Sequence, residues 1–145
     1  MSFVNRYLRE EELSLYLQAV DVYVAPYLGK EQVSSGTLTL ALGHGKAVVS
    51  TPTTFAKEIL RDKRGLFCKF ANARSIAECV ERTLDDSRLR QELEANAFKY
   101  GQEVGWARVA DQYGDLFRSA MRFPGALTEA ATISEILPSV RANGQ

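Results

Sequence analysis

Residues 26–51 read PYLGKEQVSSGTLTLALGHGKAVVST. An apolar run, Asp21-Val22-Tyr23-Val24-Ala25, leads into this stretch, and a second run, Ala47-Val48-Val49-Ser50, closes it. Between them lie a polar, glycine-containing loop and a short apolar segment of helical length. The order strand, loop, helix, strand is a βαβ unit, which predicts a parallel sheet. Ligands of open α/β sheets bind outside the carboxyl ends of the strands, so the loop from Tyr27 to Gly36 is where chemistry is expected.

Working outward toward the N-terminus, Leu13, Tyr16, Leu17 and Val20 recur at i, i+3, i+4 and i+7, which predicts an amphipathic helix from about residue 9 to residue 20. Glu10, Glu11 and Glu12 fall in its first turn, where carboxylates favour the positive end of the helix dipole. Toward the C-terminus, Thr53 or Thr54 is a candidate cap for a short helix through Phe55, Ile59 and Leu60. Arg61 to Gly65 reads as a solvated basic loop, and Gly65 to Phe70 as another strand. Asn72 precedes a helix with Ile76, Cys79, Val80 and Leu84 on one face. Asp86 precedes another whose inner face is Leu89, Leu93, Ala97 and Tyr100, with Gly101 as its end. From Trp106, the positions Val109, Ala110, Tyr113, Phe117, Ala120 and Met121 keep the helical period, an aromatic stripe of the kind that is usually core. Phe123-Pro124-Gly125 breaks that helix. The tail from Arg122 to Gln145 offers at most one more helix, Leu127 to Leu137, before a frayed end. The expected class is α/β: a Rossmann-like partial parallel sheet of three to four strands flanked by helices, over residues 1–121, followed by the tail 122–145.

At 145 residues the chain is long enough for one domain with a real core, burying roughly 68–70% of its unfolded surface. Eighteen basic and eighteen acidic side chains cancel, so no global field favours nucleic acid, and an anionic ligand must be held by local groups. Cys68, in the expected strand, and Cys79, in the expected helix, match neither a redox nor a zinc spacing and read as buried, reduced thiols. With His44 the single histidine, a His-rich metal site or an internal Ser-His-Asp triad is disfavoured. No apolar run approaches the roughly 18 residues of a transmembrane helix, and the N-terminus lacks a signal-peptide core, so a soluble intracellular protein is expected.

Three phosphate or nucleophile motifs fail on inspection. Gly45-Lys46 has Leu40 where a P-loop needs glycine, and Ala47 follows the lysine. Gly43-His44-Gly45 lacks the third glycine of a dinucleotide fingerprint and enters a strand instead of leaving one. No GxSxG elbow surrounds Ser34 or Ser35. What remains is a helix start: Ser34 or Ser35 as cap, Gly36 for close approach, and the N–H groups of Gly36, Thr37 and Leu38 pointing out with the positive dipole end. Such an end stabilises an anion by about 0.3–1 kcal/mol. On spacing alone, a plainly capped core helix fits equally well.

The run Tyr7 to Leu13, the segment Ala19 to Tyr27, then Gly43-His44-Gly45-Lys46-Ala47-Val48-Val49-Ser50-Thr51 and Glu58 resemble, in order, the C-terminal domain of the group-one, GT-B-fold retaining glycosyltransferases. The helices from Leu89 to Phe117 are similar to that domain's closing helices. The resemblance implies a half that binds the nucleoside diphosphate of a sugar donor and faces a separate acceptor domain, with no other cofactor. It implies a donor pocket lined by Tyr27, Gln32, Ser34, Ser35, Gly36, Thr37 and Leu38, and hexosyl transfer to a polysaccharide or glycolipid acceptor by a cytoplasmic protein peripheral at the inner membrane face. The family's two motif glutamates, one toward the donor sugar and one toward the ribose, fall on Gln32 and Leu40. The family's N-terminal domain has no counterpart before Met1, so this chain is expected to be inactive alone, as a fragment or part of a split enzyme. Lys30, Glu31, Lys46 and Glu58 read as solvated, with Glu58 also in reach of the pocket edge, and His44 as a turn residue. A different reading is a non-catalytic α/β module that binds a partner or self-associates.

Overall fold

The computed structural model describes residues 3–122. Two parts are described separately, residues 1–103 and the segment from Val104 onward. The first holds helix α1 (Glu10–Ala19), strand β1 (Val22–Ala25), α2 (Gly36–Gly43), β2 (Ala47–Ser50), α3 (Thr54–Ile59), β3 (Gly65–Phe67) and α4 (Ala73–Asp85), with α5 (Ser87–Val104) closing it. The second is described by α6 (Trp106–Arg122). The three strands form one parallel sheet in the order β1-β2-β3, pairing Ala25 with Ser50 and Ser50 with Phe67. The expected α/β class and parallel sheet are present, with three strands among the described residues. The expected helix from Leu127 to Leu137 and the frayed end lie outside them.

Period-two alternation divides the strands between two faces. Tyr23, Ala25 and Val48 join Leu13 and Leu17 of α1, Leu38, Ala41 and Leu42 of α2, and Ala56 and Ile59 of α3 in one apolar cluster. Ala47 and Val49, on the opposite side of β2, are also fully buried, and α4 packs against β1 and β2. Coverage on both faces explains why β2 is buried throughout, with Ser50 as its one polar residue.

Helix α5 lies across the entrances of all three strands. Its Arg90 reaches Asp21 ahead of β1 at 3.7 Å. Gly45, ahead of β2 with φ +65°, approaches Phe98 so closely that an added Cβ would stand 3.1 Å from the Phe98 Cβ. Ahead of β3, Glu92 pairs with Lys63 at 2.7 Å, Asn96 Nδ2 donates to the Lys63 carbonyl, and Arg64 stacks 4.2 Å above the Tyr100 ring. This helix forms a floor under the sheet, leaving the carboxyl ends of the strands to the loops.

Several expectations are corrected. Gly101 does not end α5, which continues to Val104. It sits where α5 crosses the end of α2, and a Cβ there would fall 2.7 Å from the Gly43 Cα. The strand at Gly65 stops at Phe67, so Cys68 follows it; Cys68 is buried, but Cys79 is only partly so and its thiol donates to the Phe67 carbonyl. Helix α6 has its expected period, yet none of its residues is buried, so its stripe is not core here. Tyr113 and Phe117 instead pack against each other with centroids 6.1 Å apart. No helix among the described residues is long and apolar enough to cross a membrane.

At the start of α1, Arg6 holds Glu12 through two hydrogen bonds of 2.9 and 2.7 Å, and the Arg9 N–H adds a third to the same carboxylate. These bonds, that of Arg6 first, lower the Glu12 pKa to about 2. A depressed carboxylate contributes stability that is present above its unfolded pKa of about 4.3 and is lost as pH falls toward the folded value. We therefore expect Arg6→Ala to move the Glu12 titration, followed by carboxyl NMR, upward toward the ordinary range; an unmoved midpoint would remove Arg6 as the cause. Gly101→Val is expected to destabilise the chain by about 1–3 kcal/mol in urea unfolding, because the crossing with Gly43 has no room for a side chain.

Candidate functional site

The loop between β1 and α2 is fixed from below by the strand ends. Ser50 Oγ donates to the Ala25 carbonyl at 3.1 Å, and Thr51 Oγ1 to the Tyr27 carbonyl at 2.8 Å. Further along, the Lys30 carbonyl accepts the Thr54 N–H at 3.0 Å and the Gln32 carbonyl accepts the Phe55 N–H at 3.1 Å. Thr53 Oγ1 accepts the Ala56 N–H. The first N–H groups of α3, which have no partners inside the helix, are thereby satisfied by protein. The start of α3 is closed to a ligand.

Helix α2 begins differently. Of the two candidate caps it is Ser35 that serves, its buried hydroxyl accepting the Leu38 N–H at 3.2 Å and meeting the Tyr27 hydroxyl. Tyr23, reaching up from β1, donates to Thr37 Oγ1 at 2.8 Å, and burial pushes its phenol up, which keeps it a neutral donor. The N–H groups of Gly36 and Thr37 have no acceptor among the described residues. Both residues are exposed, and a Cβ added at Gly36 would meet nothing within 4 Å.

This geometry sorts the expected site residues. Gly36 and Thr37 present backbone donors, and Thr37 keeps its own hydroxyl hydrogen while accepting from Tyr23. Tyr27 and Ser35 are engaged with each other and with the cap, so they shape the site from behind. Ser34 is exposed, its carbonyl accepting Gln32 Nε2 at 3.0 Å. Gln32 is partly buried with Oε1 uncommitted. Leu38 is a correction: its side chain is fully buried in the core and its N–H belongs to Ser35, so it offers a ligand nothing. Helix α2 carries no charged residue, and Lys30 and Glu31 are exposed on the loop. Leu28 and Val33, 81% and 76% exposed, form an apolar rim. Grooves of about 480 Å³ along Lys63, Asp86, Arg88, Leu89 and Glu92 and of about 300 Å³ on α1 lie elsewhere, and the α2 start, with Gly36 and Thr37 exposed, forms a ledge.

Two residues, Lys46 read from sequence as solvated and His44 as a turn residue, have structural tasks. Lys46 Nζ donates to the Gln18 carbonyl at 2.9 Å, a cation at the C-terminal end of α1 where the dipole favours it. His44 Nδ1 lies 2.8 Å from the Leu40 carbonyl and therefore carries the proton, which leaves Nε2 to accept from the Ser14 hydroxyl at 2.8 Å. Glu58 is exposed on the last turn of α3. Sequence reasoning missed the Tyr23–Thr37 bond and the His44 clasp between α1 and α2. The signal for the clasp was a histidine four residues after Leu40 at a helix end. No group of three or more His, Cys, Asp or Glu side chains among the described residues is placed to hold a metal.

A sequence-family model described as "Glycosyl transferases group 1" matches residues 2–86. Among solved structures, the chain is similar to sucrose-phosphate synthase from Thermosynechococcus elongatus, with a TM-score of 0.69 and 23% identity over 83% of this chain. That match spans 30% of the synthase's length, and at this identity it carries the fold alone. No curated protein sequence matches the chain.

Replacing Ser35 by Ala removes both the cap on Leu38 and the partner of Tyr27. We expect a loss of about 0.5–2 kcal/mol in chemical unfolding, with Ser35→Asp recovering part of it because a carboxylate also caps.

Proposed function

We propose, from the premise that this chain belongs to the group 1 glycosyl transferases, that it binds the nucleoside diphosphate of a sugar donor at the open start of α2. The observation that carries this reading is the pair of N–H groups on the exposed residues Gly36 and Thr37, which have no acceptor among the described residues, at the carboxyl edge of a parallel sheet. A diphosphate oxygen accepts from both, and the helix dipole adds about 0.3–1 kcal/mol. That is too little for the whole affinity. The Thr37 hydroxyl and Gln32 Oε1 supply further contacts, the latter toward a sugar hydroxyl. In glycosyl transfer these donors oppose the charge that develops on the departing diphosphate. The donor is the substrate, with no separate cofactor in this reading. The acceptor, a polysaccharide or glycolipid, and a cytoplasmic placement at the inner membrane face follow from the family resemblance.

The chain spans 30% of the synthase it resembles. We accordingly assign it donor binding, and assign transfer to a larger whole that also carries an acceptor site. A second reading, self-association, draws on exposed apolar side chains on α1 and α6, among them Leu15, Tyr16, Phe117 and Met121.

Titration of the chain with UDP-glucose or GDP-mannose, followed by amide NMR, is expected to shift Gly36 and Thr37 first. Gly36→Val has room for its Cβ and sets a branched side chain beside the N–H groups, so it is expected to abolish those shifts with a change in stability of less than about 0.5 kcal/mol. Unchanged affinity in that variant would remove the ledge as the phosphate site. Silence at millimolar donor, together with concentration-dependent sedimentation, would favour self-association.

A further inference from the structure

Gln32 occupies the position where the resemblance implies a sugar-contacting glutamate, yet its amide group is turned to the loop's own backbone. Nε2 donates to the Ser34 carbonyl at 3.0 Å, while the Gln32 carbonyl accepts the Phe55 N–H at 3.1 Å. The Ser34 carbonyl belongs to the same peptide plane as the Ser35 N–H. Holding that plane sets the entry of Ser35, whose extended backbone (φ −154°, ψ 103°) lets its hydroxyl swing over Leu38. One residue thus links the closed start of α3 to the open start of α2.

We propose that Gln32 is a positioning residue, whose side-chain N–H fixes the Ser34–Ser35 peptide and through it the orientation of the Gly36 and Thr37 donors. The chemistry of the position follows. An amide has both a donor and an acceptor, whereas an ionised carboxylate of the same length only accepts. A carboxylate here sets lone pairs against the Ser34 carbonyl and releases the plane. The position therefore selects a neutral side chain with an N–H or O–H, and its Oε1 remains the face offered outward. The meaning of this for ligand binding rests on the donor-site reading; the clamp itself does not.

Charge elsewhere does not obscure a test. The charged residues on the elements meeting here are Lys30 and Glu31 on the loop and Lys57 and Glu58 on α3, with none on α2. All are shared by the wild-type chain, which serves as the control at each pH. In the full chain, Gln32→Glu at neutral pH is expected to shift the amide signals of Ser35, Gly36 and Leu38. It is also expected to speed hydrogen exchange at Leu38 by about 2- to 10-fold, the range that one net hydrogen bond supplies. As pH falls below about 4.3 the new carboxyl gains a proton, becomes a donor to the Ser34 carbonyl, and the wild-type signals should return. Gln32→Met, of similar length but with no donor, should show the loss at every pH. Wild-type signals and exchange in Gln32→Glu at neutral pH, or a shift that persists unchanged after protonation, would overturn the clamp. The same variants titrated with UDP-glucose separate the two proposals. A clamp that behaves as described, in a chain whose Gly36 and Thr37 ignore the donor, refutes the donor site alone. A wild-type chain that binds donor while Gln32→Glu binds equally well at neutral pH refutes the positioning role alone.

Discussion

Every helix that follows a parallel strand arrives at the same edge of the sheet with backbone N–H groups that the helix itself cannot satisfy. In this chain the helices that follow β1 and β2 dispose of those groups differently. At α3 two are taken by the Lys30 and Gln32 carbonyls and a third by Thr53. At α2 the cap takes one and leaves two with no acceptor among the described residues. The carbonyls that close α3 come from the loop that precedes α2, so closing one helix start also fixes the approach to the other.

The opposite edge is built to be inert. Helix α5 touches the entrance of each strand with a different device: an ion pair at Asp21, close backbone packing at Gly45, and a cation over an aromatic ring at Arg64. Glycines at both crossing points let α5 come near enough to do this. Sheet anchorage at the strand entrances is therefore carried by residues separate from those that shape the carboxyl ends.

The parts of the fold that depend on local pattern were legible in the sequence. The alternation of apolar runs with helical spacing placed β1, β2 and the start of β3, and the motif tests left the α2 start as the one site to consider. What sequence could not convey depends on partners distant along the chain. Gly101 was read as a helix end because glycine commonly ends helices; its neighbour, Gly43, is supplied by another helix. Ser34 and Ser35 were indistinguishable as caps until Tyr27 was seen to select Ser35. Leu38 was counted among ligand donors because spacing does not reveal that a cap consumes its N–H. Lys46 reads as solvated and His44 as a turn residue, since their partners, Gln18 and Ser14, lie on α1.

The position of α5 in the chain also bears on how the molecule forms. The strands it anchors are complete by Phe67, but the residues that grip their entrances, from Arg90 to Tyr100, come later. During synthesis from the N-terminus, β1 to β3 emerge with their entrances unsecured, and these contacts are of high sequence separation, the kind that slows folding. A nascent chain halted between α4 and α5 would hold the whole α2 ledge in its sequence without the element that holds the sheet still beneath it.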